Sequence, residues 1–141
     1  MATTNPTKVT VQAVIQAPVA KVWKCWTEPE HITKWNQATE EWHSPRAEND
    51  LRVGGKFVTR MEAKDGSAGF DFGGTYDVVK LYEEIAYTLG DGRKVNINFI
   101  AQKDETKVVE TFDAEETHPV EFQKAGWQAI MNNFKKYAES H

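Results

Sequence analysis

Hydrophobic and polar positions alternate from Lys8 to Ile15, with Val9, Val11 and Ala13 on one side and Thr10, Gln12 and Val14 on the other. Period two predicts a strand. At Ala17-Pro18 the period changes. Pro18 suits the first turn of a helix, and Val19, Val22, Trp23 and Trp26 follow at helical spacing. Thr27-Glu28-Pro29-Glu30 predicts a second helix start, with Thr27 as cap and Glu30 three residues on; Ile32 and Trp35 form its buried side. From Glu41 the punctuation is that of an antiparallel meander. Strands are predicted over Glu41–Ser44, Lys56–Ala63, Gly69–Leu81, Glu84–Leu89, Arg93–Gln102 and Thr106–Phe112.

Asp65-Gly66 and Asp91-Gly92 supply the positive φ of tight hairpin turns. Val95, Ile97, Phe99 and Ala101 alternate with Asn96, Asn98 and Gln102, so one sheet face is predicted to meet a core while the other is wet. Gly54-Gly55 and Gly73-Gly74 lie beside or within strands and mark bulges or bends that curl the sheet. A last helix is predicted from Pro119 to about Glu139, roughly 30 Å long. Phe122, Gly126, Ala129, Ile130 and Tyr137 form one apolar row. Trp127, Ile130, Met131, Phe134 and Ala138 form the other. Glu121 near its start and Lys135 and Lys136 near its end complement the helix dipole. A curled sheet around one long amphipathic helix buries both apolar faces, and a cavity between them is a natural by-product.

Composition narrows the function classes. The chain has 141 residues, 40% apolar and 11% aromatic, which predicts one folded domain over residues 1–141. The first seven residues, small and polar, are predicted to be a loose end. A net charge of −4 disfavours nucleic-acid backbone as a partner. No apolar run has the length of a membrane span or the form of a signal peptide, so neither membrane nor export is expected. Cys25 is the sole cysteine, which excludes an internal disulfide and fits a reducing cytoplasm.

The segments Leu51-Arg52-Val53-Gly54-Gly55-Lys56-Phe57, Gly69-Phe70-Asp71-Phe72-Gly73-Gly74-Thr75-Tyr76, Val108-Val109-Glu110-Thr111-Phe112 and Gly126-Trp127-Gln128-Ala129-Ile130, with the opening Ile15 to Trp23, carry a resemblance over essentially the whole chain. The sequence resembles the START-like (birch-pollen-allergen-like, SRPBCC) superfamily. Within it, the chain is similar to the subgroup named for activators of the heat-shock-protein-90 ATPase. The resemblance implies an α+β helix-grip fold: a curved antiparallel β-sheet wrapped around a long C-terminal α-helix, with two short helices after strand 1. Members variously bind apolar molecules, sequester reactive natural products or act as cyclases. The co-chaperones behind the subgroup name are much longer and carry a further domain, so chaperone contact is kept only as an alternative.

Candidate chemistry is sparse. His31, His43, His118 and His141 have no metal-ligand spacing, and no metal or cofactor is expected. Glu115-Glu116 with His118 reads as a solvated cap before the last helix. Cys25 beside Trp23 and Trp26 reads as a small buried hydrophobe. Asp71, Asp77, Glu62 and Glu110 fall on strands and read as solvated charges. No catalytic residue is assigned. The expected site is an apolar pocket between sheet and helix. Phe57, Met61, Phe70, Phe72 and Phe99 come from strands, and Gly126, Trp127, Ile130, Met131 and Phe134 from the helix. Tyr76, Trp42 and His43 are the groups expected to orient a small apolar or aromatic ligand. The alternatives are a cyclase- or hydrolase-type enzyme in the same cavity, which needs an inward titratable pair, and a chaperone-interacting module.

Overall fold

In the computed structural model of the chain, residues 7–37 and 39–140 are described. The expected loose N-terminal end, except Thr7, and His141 lie outside them. Strand β1 (Lys8–Ile15) buries Val9, Val11 and Ile15, as its alternation requires. Helix α1 (Val19–Thr27) follows the extended residue Pro18, and α2 (Pro29–Trp35) begins on a proline, whose missing N–H needs no partner there. The expected Thr27 cap is not formed. The Thr27 hydroxyl instead donates back to the Trp23 carbonyl at 2.8 Å, and Glu28 is the extended residue before α2.

Six further strands follow: β2 (Trp42–Asn49), β3 (Lys56–Ala63), β4 (Gly69–Lys80), β5 (Glu84–Leu89), β6 (Lys94–Gln102) and β7 (Glu105–Asp113). With β1 they form one antiparallel sheet in the order β1-β7-β6-β5-β4-β3-β2. The first strand thus pairs with the last, from Lys8 opposite Asp113 to Ile15 opposite Thr106. Strand β2 is longer than its sequence suggests. Pro45 interrupts the pattern, yet on an edge strand its missing N–H is tolerated, and the register shifts between His43 and Arg46.

Gly66 and Gly92 occupy the hairpin turns with φ of +80° and +93°. Gly73 and Gly74 do different work in the middle of β4. A Cβ on Gly73 would lie 2.4 Å from the Phe57 carbonyl oxygen, and one on Gly74 2.4 Å from that of Thr88. Backbone approach this close needs glycine, and a register irregularity follows between Tyr76 and Val78. Together they curl the β3–β5 half of the sheet.

Helix α3 (Val120–Ser140) crosses the concave face and packs chiefly on β1, α1 and α2. Met131, Phe134 and Ala138 are buried there, in one core with Val11, Ile15, Ile97, Val108 and Phe112. The other expected apolar row is only partly used: Phe122 is 66% exposed and stacks on His118. Ala101, expected on the core face, is exposed near the end of β6, where the sheet extends past the core. Among the described residues no helix is long and apolar enough to cross a membrane.

Candidate functional site

Because α3 lies toward β1, the curled β3–β5 half of the sheet stands away from it. Only long side chains cross the gap, as where Phe72 meets Trp127 at 6.1 Å between ring centroids. A cavity of about 200 Å³ remains. Its sheet wall is Phe57, Thr59 and Met61 of β3, Phe70, Phe72 and Tyr76 of β4, and Ile85 and Tyr87 of β5, with Glu110 of β7 at the back. Trp26 of α1, Ile32 and Trp35 of α2, the following Asn36, and Trp127 and Ile130 of α3 complete it. Phe70 is 49% exposed and stands at the rim.

The rings brace one another. Trp127 stacks on Phe112 at 3.9 Å with planes 10° apart, and Trp26 and Trp35 both pack edgewise on Phe134. The Trp35 indole N–H donates to the Cys25 carbonyl at 2.9 Å, which fixes its ring against the cavity. The Tyr76 hydroxyl donates to Asn49 Oδ1 at 2.5 Å, and Asn49 Nδ2 donates to the Thr27 carbonyl. This chain of bonds ties β4 through β2 to the α1–α2 junction and commits the Tyr76 proton.

Of the thirteen residues expected at the site, Phe57, Met61, Phe70, Phe72, Tyr76, Trp127 and Ile130 lie on the cavity wall. Phe99, Met131 and Phe134 are packed in the solid part of the core, at 5%, 1% and 0% exposure, because α1 and the β1 side of the sheet close over them. Trp42 packs against the rim residue Phe70, with ring centroids 6.0 Å apart, and is not part of the wall. His43 sits on the edge strand, half exposed, with Nε2 3.7 Å from Glu62 Oε1. His43 is paired with Glu62, on the face opposite Thr59 and Met61, and Trp42 is paired with Ala63, beyond the wall residues of β3. Gly126, one turn before Ile130, is also outside it: a Cβ there meets no atom within 4 Å.

Glu110 corrects the expectation of a solvated charge. It shares strand parity with Val108 and Phe112 along β7, so all three face inward, and it is 6% exposed. Burial away from water pushes its carboxyl from 4.5 up to about 8. Its shared parity with Val108 and Phe112 is the sequence signal for its position. Asp71 and Asp77 are exposed as expected, paired with Arg60 and Thr88. Trp26, Trp35, Thr59, Ile85 and Tyr87 also line the cavity without having been expected there; strand parity or helix spacing marks each as inward, but not as bordering a void.

The remaining candidates are structural. Glu115 accepts from the backbone N–H of His118, and the buried Gln123 side chain bonds Glu115 and His118, which closes the loop before α3. Cys25 is buried and its thiol is pushed up, chiefly by burial. Among the described residues, Glu28, Glu30 and His31 bring potential ligand atoms within 4.8 Å of one another; His31 Nδ1 already shares a 2.6 Å hydrogen bond with the Tyr137 hydroxyl.

Comparison with known proteins agrees with this architecture. The family described as activator of Hsp90 ATPase homolog 1-like protein matches residues 16–139. The solution structure of an AHSA1-like protein from Aeromonas hydrophila is 43% identical, with a TM-score of 0.89 over 95% of this chain and 93% of that one. A protein of Cytophaga hutchinsonii is 58% identical, with a TM-score of 0.82 over 94% of this chain and 92% of that one. A Chromobacterium violaceum protein shares the fold at 22% identity, with a TM-score of 0.84 over 94% of this chain and 96% of that one. No curated protein matches. A curled seven-stranded sheet gripping a C-terminal helix, matched in sequence along nearly its whole length, makes this chain a member of the AHSA1-like family of the START-like superfamily.

Proposed function

We propose that the chain binds a small apolar or aromatic molecule in the cavity between β3–β5 and α3. The observation that carries this reading is the cavity itself, about 200 Å³ walled mostly by aromatic and aliphatic side chains. Apolar cavities of about 150 Å³ take up benzene, so this volume suits a molecule of one or two rings. The wall is held by stacked and edge-packed rings, so little ordering is needed on binding. A reducing, cytoplasmic setting suits the single buried thiol.

Tryptophan fluorescence tests the reading, because Trp26, Trp35 and Trp127 border the space. Naphthalene-sized compounds are expected to change the emission saturably. At 100 times Kd they are expected to stabilise the fold by about 2.7 kcal/mol. That corresponds to a rise in Tm on the order of 10 °C. Thr59→Phe, which fills the cavity from β3, is expected to abolish the response. A panel of such compounds without effect on emission or Tm overturns the proposal.

A further inference from the structure

Three buried side chains on the cavity wall, Thr59 on β3, Tyr87 on β5 and Glu110 on β7, make no hydrogen bond or ion pair among the described residues, and neither does the half-buried side-chain amide of Asn36. The first three are 3%, 7% and 6% exposed. Their oxygens are not sealed within the protein: among the described residues the buried side-chain polar atom without a partner is Gln37 Oε1, so those of Thr59, Tyr87 and Glu110 open onto the cavity, where a ligand can pair them. Glu110 has Val11 and Ile97 as its cross-strand neighbours, so a hydrocarbon at this position would continue the surrounding core. Among the described residues the wall carries no lysine, arginine or histidine to balance an anion.

Burial keeps Glu110 protonated at neutral pH, and Tyr87 is held far above its ordinary range by burial and, once Glu110 ionises, by its charge. Both therefore present O–H donors to the same apolar space. Carboxylic acids kept neutral in this way, beside a tyrosine, are suited to hydrogen-bonding a ligand oxygen. The geometry points to a ligand that carries a carbonyl oxygen on a small aromatic body, with Glu110 and Tyr87 donating hydrogen bonds to that oxygen. This inference rests on the proposed function of the cavity and adds its polar specificity.

Ionisation of Glu110 removes one donor, so carbonyl binding weakens as pH rises through about 8. The titratable groups facing it across the cavity are Tyr76 of β4 and Tyr87 of β5, both raised by burial and silent in this range. The flanking strands present Val11 and Ile97, and the helices line the space with Trp26, Ile32, Trp35, Trp127 and Ile130, none of which titrates.

The test compares three isosteric probes, tetralin, 1-tetralone and protonated 1-aminotetralin, by calorimetry and tryptophan emission at pH 6.5 and 9.5. The ketone is expected to bind about tenfold more tightly than the hydrocarbon at pH 6.5, the worth of one buried hydrogen bond. Most of that advantage is expected to vanish at pH 9.5 while tetralin binding stays constant. In Glu110→Gln, which keeps shape and an N–H donor, the ketone preference is expected to lose its pH dependence. Equal binding of ketone and hydrocarbon overturns this inference and leaves the cavity reading standing. So does a ketone preference in the parent protein that ignores pH. Preference for the amine, strengthening through pH 8, overturns it in favour of a cation site. Binding of none of the three overturns the cavity reading as well.

Discussion

Replacing Glu110 with glutamine isolates the one buried carboxyl in the core, among the described residues, whose titration is moved to near neutral pH. The unfolded chain ionises this carboxyl near 4.5 and the folded chain near 8, so between those values the native state holds more protons. Stability contributed by the neutral acid is therefore complete below about 4.5 and lost as pH rises through 8. At about 1.4 kcal/mol per pH unit, the full loss is about 5 kcal/mol, of which about 4 kcal/mol falls between pH 5 and pH 9. Glutamine keeps the volume and one polar head but does not titrate. Its own desolvation cost, about 1–3 kcal/mol, is the same at every pH. Urea unfolding of both proteins at pH 5, 7 and 9 separates the two effects, because other titrating groups cancel in the difference. The carboxylates with lowered pKa, Asp113 held by Lys8 and Glu139 held by Lys135 among them, act at acid pH, below this window. The variant is expected to gain on the parent steadily from pH 5 to pH 9, reaching a Tm difference on the order of 10 °C. Parallel stability curves, or a parent that gains on the variant as pH rises, would refute the burial argument.

Gly126→Ala is expected to raise stability by up to about 1 kcal/mol through helix propensity, since the new Cβ meets no atom within 4 Å; a thermal melt showing a loss contradicts this. Gly73→Ala is expected to cost about 1–3 kcal/mol or more, because its Cβ would lie 2.4 Å from a backbone oxygen that cannot swing away, and denaturant unfolding reads the loss. Phe134→Ala is expected to cost about 3–5 kcal/mol by removing the ring on which Trp26 and Trp35 pack; a cost under about 1 kcal/mol would mean the tryptophans collapse into the space. Cys25, 2% exposed with a raised pKa, is expected to react with a disulfide reagent only at the rate of global or local opening, so modification in native buffer as fast as in urea contradicts its burial.

Local chemistry in the sequence determined most of the architecture. Alternation in β1 and β5–β7, the two Asp-Gly turns and the proline-led helices set element type and order, because period, positive φ and fixed φ are properties of a few neighbouring residues. The same parity, applied to Val108, Glu110 and Phe112, places the carboxyl on the inner face; what hides it is the ordinary solvation of strand acids, a preference that tertiary burial overrode. The second half of β2 escaped because a proline at a bulge breaks the alternation by which strands are read; Trp42 and His43 lie in the half that was read, and their place off the cavity wall depends on their pairing with Ala63 and Glu62. Whether an inward aromatic meets a neighbour or an empty space is not a local property. Phe134 and Phe72 have the same inward pattern, yet one is sealed by two tryptophans and the other borders the cavity. That difference was decided by where α3 settles, over β1 rather than β3–β5, and by the curl that Gly73 and Gly74 permit by bringing backbones together. The cavity is the volume left between those two choices, and a volume defined by long-range packing has no signature in any one segment of the chain.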